Sequence, residues 1–360
     1  MDDEVVVLDN GTGVCKIGYA GEETPRACFP TVVSRETGQQ TFVGTEALAK
    51  REMLALHRPM EQGRVTDWAG MEAVWQHAFH DQLGTAAETH PVLLSEVVGT
   101  EASDREAMTE MMFEAFGIAS LHIANQAVLS LYASGRTTGL VLDTGEGLSH
   151  TMAIYEGFAI PASVRRTPLA GAAVTARLAE LLALRGCPLT SSAGMETVRE
   201  MKEAMAFVAR DAAAAAAAPA SLARPQETYL LPDGQQVTVD AERFLCSEVL
   251  FTPTSPSSLP NMVSDALAAC EVDLRRSLAQ SIVLAGGTTC LPGFATRLHS
   301  ALATLLPCAD SIAVVAEPTR SVQTWLGGSI LGSLSNYNAI FLSAAAYNEH
   351  GPSAIHTKCR

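Results

Sequence analysis

Apolar positions open the chain as a short block, Val5-Val6-Val7-Leu8, which reads as a buried strand. Residues 15–21, Cys15-Lys16-Ile17-Gly18-Tyr19-Ala20-Gly21, alternate small, polar and apolar side chains as a return strand does. Between them lies Asp9-Asn10-Gly11-Thr12-Gly13, so strand, turn and strand predict a hairpin with a glycine-bracketed tip. The pattern comes back once: Leu140-Val141-Leu142, then Asp143-Thr144-Gly145-Glu146-Gly147, then residues 148–155 running back from the tip. Glu156-Gly157 turns the chain again into Phe158-Ala159-Ile160-Pro161. Two hairpin-led units a domain's length apart imply an internal duplication at the level of the fold.

Helical periodicity fills the intervals. Residues 71–82, 104–116 and 125–134 predict amphipathic helices, the last stopped by Gly135, and 174–185 and 194–209 continue the series. The alanine run 212–218, ended by Pro219, reads as a solvated helical extension without a direct role. Residues 230–239 predict a structural hairpin turning at Asp233-Gly234, and the Ser- and Pro-rich stretch 253–260 a loop, with the next helix starting at Ser264. A third strand and glycine turn, 282–289, delivers Gly286, Gly287 and two threonine hydroxyls toward a helix over 294–305, a further place for a nucleotide to lie.

Glycines let backbone N–H groups converge on an anion, a threonine hydroxyl adds a donor, and an aspartate at a strand end can hold a hydrated divalent cation. Phosphate plus metal is the simplest ligand that satisfies all three. The plainer alternative is a pair of tight hairpins with no ligand.

Composition narrows this. With 360 residues, 48% hydrophobic and 18% charged, the chain has ordinary globular content and room for two cores. A formal charge of −15, with no Lys/Arg run, opposes binding to nucleic acid or anionic membrane and favours a basic partner. Eight cysteines without a CxxC pair suggest neither a zinc site nor a disulfide framework. Asp2-Asp3-Glu4 leads straight into a strand, unlike a signal peptide, and no apolar stretch reaches membrane-spanning length; the expectation is a soluble, intracellular protein. His77, His80 and His90 lack metal-ligand company and read as structural.

The three strand-glycine turns resemble the superfamily of actin, sugar kinases and heat-shock ATPases, and longer stretches choose among these. Residues 125–139, Asn125-Gln126-Ala127-Val128-Leu129-Ser130-Leu131-Tyr132-Ala133-Ser134-Gly135-Arg136-Thr137-Thr138-Gly139, resemble actin almost residue for residue. So do Tyr155-Glu156-Gly157, Trp325-Leu326-Gly327-Gly328-Ser329-Ile330-Leu331 and residues 351–359. The resemblance runs from Val5 to Cys359. It implies an α/β, duplicated actin-like ATPase fold: two lobes, four subdomains, a central nucleotide cleft. Subdomain 1 would comprise 1–30, 59–133 and 323–360; subdomain 2, 31–58; subdomain 3, 134–169 and 255–322; subdomain 4, 170–254.

The resemblance also implies ATP or ADP with Mg2+ or Ca2+. Asp9 and Asp143 would approach the metal through its waters. Gly11, Thr12, Gly13 and Val14 would cradle the outer phosphates from one side and Gly145, Glu146, Gly147 and Leu148 from the other, with Lys16 supplying positive charge. Gln126 would orient the attacking water, and His150 would relay a proton because an ordinary imidazole titrates near neutrality. Gly171, Arg199, Lys202, Glu203, Gly286 and Gly287 fall on the ribose and adenine positions. Leu291 stands where the family has a tyrosine beside the base, and Ser321 where it has a covering lysine; the two losses weaken binding by roughly 1 to 2 kcal/mol.

Further departures fall on assembly. The stretch 34–44 is shorter than the loop that docks into the next actin subunit, and 252–269 is shorter than the segment carrying actin's hydrophobic plug. Gln62 replaces a commonly methylated histidine, and Ala172 and Ala173 a charged pair. The hairpin at 155–161 and the C-terminal segment bordering the groove between subdomains 1 and 3 are kept. The expected function is an ATP-binding cytoskeletal or complex-scaffold protein, weak as an ATPase and impaired in conventional polymerisation. Its partners would be actin, actin-binding proteins or a multi-subunit complex, in the cytoplasm and cytoskeleton or else the nucleus or axoneme. The alternatives are a divergent filament-forming actin and, in another class, a metabolic phosphotransferase.

Overall fold

The computed structural model describes residues 4–35, 41–217, 227–231, 234–252, 254–306 and 311–359. Its centre is a pair of mixed sheets with one plan. In the first, Val6–Asn10, Val14–Tyr19 and Ala27–Pro30 form an antiparallel meander, and Pro91–Glu96 then Ser120–Asn125 lie parallel on the other side of Val6–Asn10. Leu342–Ser343 closes that edge. In the second, Gly139–Thr144, Ser149–Tyr155 and Phe158–Thr167 repeat the meander, and Ile282–Ala285 then Val314–Val315 repeat the parallel pair. The duplication read from the two hairpins thus extends to five strands in each copy. The central strands are buried on both faces, which is why they are unbroken apolar runs rather than alternating ones.

Each sheet carries its own core on its outer face. Met71, Val74 and Trp75 of Trp68–Gln76 and Met108 and Met112 of Ala102–Glu114 cover the first. Helices Gly171–Leu184, Ser192–Met205, Leu259–Ala268 and Phe294–Leu305 cover the second. Between the sheets lie Gln126–Ala133 and Gln323–Gly332. Leu129 and Trp325 pack on the first sheet's inner face, while Ala127 and Leu131 pack on the second's. The two helices cross so closely that a Cβ on Gly327 would overlap the Leu129 carbonyl. Gln323 Nε2 donates to Ser130 O at 2.9 Å, and the Ser130 and Thr324 hydroxyls bond at 3.0 Å. The chain passes from one sheet to the other through Gln126–Ala133 and returns through Gln323–Gly332.

Several expectations shift. The helix expected from Ser264 begins at Leu259, because Pro260 sits in its first turn, where a missing N–H costs no hydrogen bond. The helix expected over 194–209 ends at Met205, where residue 206 turns extended. The pattern 71–82 resolves into Trp68–Gln76, capped by Asp67, and a π-helix, His77–Leu83. The alanine run is helical over Ala212–Ala217, with Ala218 and Pro219 outside the described residues. Leu230 and Gln236 pair as expected, though Asp233 of the predicted turn lies outside them, as do Pro253 and Cys308. The described cysteines are free, and no group of three metal-ligating side chains occurs among the described residues. No described helix is long and apolar enough to cross a membrane.

Candidate functional site

Both hairpin tips project toward each other. A Cβ on Gly13 would stand 2.8 Å from Glu146 Cβ, and one on Gly147 would stand 2.8 Å from Thr12 Cγ2, so glycine is what lets the two backbones meet. Behind the first tip, Thr31 ties back two carbonyls: its hydroxyl donates to Gly11 O at 2.7 Å and its N–H to Gly13 O at 3.0 Å. Behind the second, Gly145 O accepts from Gly171 N at 3.0 Å and from the Thr288 hydroxyl at 2.7 Å, and Glu146 O accepts from Ala172 N at 2.7 Å. With the carbonyls turned away, the N–H groups of Thr12, Gly13, Glu146, Gly147 and Leu148 have no partner among the described residues. Two tips whose carbonyls are tied back and whose amides stay open make an anion cradle.

A cavity of about 440 Å³ lies between the tips. Its walls include Asp9, Gly11, Thr12, Gly13, Val14 and Lys16 from the first hairpin, and Asp143, Gly145, Glu146, Gly147, Leu148 and His150 from the second. Gln126, Arg199, Lys202, Glu203, Gly286 and Gly287 line it too, as do Leu291 and Ser321. Gly171 does not: it stands behind the second tip, where a Cβ would collide with Glu146 Oε2 and its carbonyl accepts from Lys202 Nζ at 3.1 Å. The paired hydroxyls of the third turn are already committed as donors, although Thr288 lines the cavity. Thr288 is spent on Gly145 O, and Thr289 donates to Gly286 O at 2.7 Å. Gly286 has φ +87°, and a side chain there would overlap Thr144 O, so the third strand can press against the second tip only as glycine.

The register places Lys16 opposite Asp9 in one hairpin and His150 opposite Asp143 in the other. Lys16 Nζ reaches Asp9 Oδ2 at 2.7 Å. Burial works against the Lys16 charge, but Asp9 outweighs it and holds the ammonium above its ordinary pKa. Asp9 Oδ1 accepts from the Ser95 hydroxyl and, at 3.3 Å, from Gln126 Nε2. The Asp143 backbone is paired within the sheet, but its carboxyl has no hydrogen-bond partner among the described residues. Burial, and then Asp9, push its carboxyl up to about 7, with Lys16 pulling the other way. His150 is buried, and burial together with Arg166 pushes it down to about 4. The imidazole is therefore neutral at pH 7, which corrects the expectation that it titrates near neutrality; it can accept a hydrogen bond but is no standing cation.

Two buried atoms on this wall, His150 Nε2 and Asn10 Nδ2, have no partner among the described residues, while Asn10 Oδ1 accepts from Trp75 Nε1 at 2.9 Å. Orphan polar atoms, open amides and an uncompensated carboxyl together suit a polyanion carrying a divalent cation. Farther along, the cavity wall is already paired: Lys202 with Glu146 at 3.0 Å, Arg199 with Glu203 at 3.2 Å and with Glu196 at 2.8 Å. Sequence reasoning does not single out Asn10, Ser95 or Thr31. Only Asn10 sits inside the tip motif, and the other two are single hydroxyls whose value comes from tertiary placement. A family model described as Actin matches residues 2–360, a span that contains both sheets, both tips and the cavity.

Proposed function

The chain belongs to the actin family, and from that premise we propose that it works as an actin-like, ATP-binding structural subunit. It binds ATP or ADP with a divalent cation between the hairpin tips, hydrolyses ATP slowly and polymerises poorly by the conventional route. The observation that carries the nucleotide reading is the pair of facing tips with open amides beside an uncompensated Asp143. When bound, Mg2+ or Ca2+ supplies the charge that draws the two carboxylates and the phosphates together.

This chain's residues divide the remaining work. The tip amides hold phosphate oxygens, and Lys16 fixes Asp9. Gln126, the first residue of its helix, orients a water, since an amide does not take a proton at neutral pH. His150, neutral and on the cavity wall, is the group proposed to accept from that water. Gln126→Ala is expected to slow single-turnover hydrolysis at least about tenfold. An unchanged rate would remove Gln126 from the mechanism.

The assembly reading rests on the small sheet formed by Val33–Arg35, Thr41–Val43 and Leu56–His57. Arg35 pairs with Thr41, so the connection is only residues 36–40, themselves outside the described residues. In the other trimmed region, Leu259, Met262, Val263 and Leu267 face the core and leave little to project. Partner proteins, in the cytoplasm or in a larger complex, take the place of lengthwise contacts. Sedimentation of purified protein with Mg-ATP tests this: little pellet is expected, and robust pelleting above a critical concentration would favour the filament-forming alternative.

A further inference from the structure

We infer that Ser95, at the end of the strand Pro91–Glu96, is a positioning residue that fixes which edge of the Gln126 amide faces the cavity; this rests on the hydrolytic reading above. A serine hydroxyl has one donor and two acceptor lone pairs. Ser95 is buried, and all three are committed. Its proton goes to Asp9 Oδ1 at 2.5 Å, and its oxygen accepts from Asn10 N at 3.2 Å and from Gln126 Nε2 at 3.1 Å.

The consequence is directional. Gln126 Nε2 also donates to Asp9 Oδ1, so the NH2 edge is held by two acceptors at once. Turned over, the amide would set its Oε1 against a carboxylate and against a hydroxyl whose proton is already given away. The flipped form is therefore repelled, and Oε1 remains as the edge free to accept from a water in the cavity. Ser95 is itself fixed from behind: its neighbour Glu96 is buried and gripped by the Arg105 guanidinium, whose Nη1 also donates to Cys359 O at 2.8 Å. A single hydroxyl thus sets both the carboxylate of Asp9 and the hand of the amide, as supporting residues do for a water-orienting group.

The test uses the full-length protein and two readouts. In glutamine-labelled protein, with the Gln126 signal assigned by its loss in Gln126→Ala, side-chain NH2 hydrogen exchange is expected to speed up at least about tenfold in Ser95→Ala and to stay slow in Ser95→Thr. Single-turnover hydrolysis is expected to fall about tenfold in Ser95→Ala with ATP affinity changed less than about threefold, and to be rescued by Ser95→Thr. Ser95→Cys, which keeps the size with a weak donor, serves if the alanine variant does not fold and is expected to lie between the two. Unchanged Gln126 exchange overturns the proposal, as does unchanged turnover, or a loss of rate matched by an equal loss of affinity. A wild type with no turnover at all sinks the hydrolytic reading instead, and the exchange measurement then decides Ser95 by itself.

Discussion

The two hairpins share a plan and differ in charge. In the first, Asp9 is complete: Lys16 opposite, Ser95 and Gln126 on the other oxygen. In the second, the same position holds Asp143, whose carboxyl has no hydrogen-bond partner among the described residues, and the residue opposite is a neutral, buried His150. One copy is finished by the protein; the other leaves a carboxyl open, where the proposed cation would complete it. The two copies differ in the cross-strand partner, Lys16 against His150, and in the hydroxyl and amide that Asp9 alone receives.

The largest effect should come from undoing the finished copy. Lys16→Met leaves Asp9 buried without its counter-charge, and nucleotide-free stability in urea is expected to fall by roughly 3 to 5 kcal/mol. The matching change in the other copy, Asp143→Asn, is expected to raise nucleotide-free stability at pH 8 by about 1 kcal/mol, since it removes a charge that burial disfavours. Equal losses in both variants would break the comparison.

Next comes cation binding. With Asp143 pushed up to about 7, the cation must displace a proton below that pH, so affinity for Mg2+ or Ca2+ is expected to weaken about fivefold from pH 7 to pH 6 and to level off above pH 8. Calorimetric titration in buffers of different ionisation heat reads both the affinity and the released proton. A flat profile would mean that Asp143 is already ionised.

The smallest effect is a slope. Asp143 binds its proton more tightly folded than unfolded, so its contribution to stability falls as pH rises from its ordinary 3.8 to about 7. His150 binds its proton less tightly folded, so its contribution is whole above 6.5 and is lost as pH falls toward about 4. The two oppose between about pH 4 and 6.5. Asp143→Asn is therefore expected to show stability rising with pH across that window, more steeply than wild type, and denaturation series at half-unit steps would reveal a missing difference.

Both hairpins are legible in the chain itself. Glycine-bracketed tips after apolar runs announce them, because the opposite tip comes so close that Gly13 and Gly147 have no room for a side chain. The third turn lies where its strand and glycines put it, but its hydroxyls, which pattern alone offers as ligand donors, go elsewhere. Their acceptors are carbonyls on Gly145 and Gly286, one of them far away in the chain. Ser95 stays hidden for the same reason: it follows Val92-Leu93-Leu94 as an ordinary strand end, and only the fold brings Asp9 and Gln126 to it. Periodicity places helix faces, yet it misjudges the start at Leu259 because proline weighs against helix everywhere except in the first turn. Whether His150 carries charge is likewise beyond a reading of residue order, since burial decides it.

The crossing of Gln126–Ala133 over Gln323–Gly332 leaves no room for a methyl group between Gly327 and the Leu129 carbonyl, and both passages of the chain between the sheets run through it. Such a joint is a close-fitting seam: a side chain at position 327 is expected to prise the two helices apart, and Gln126, the end residue of one of them, would be shifted at the cavity wall.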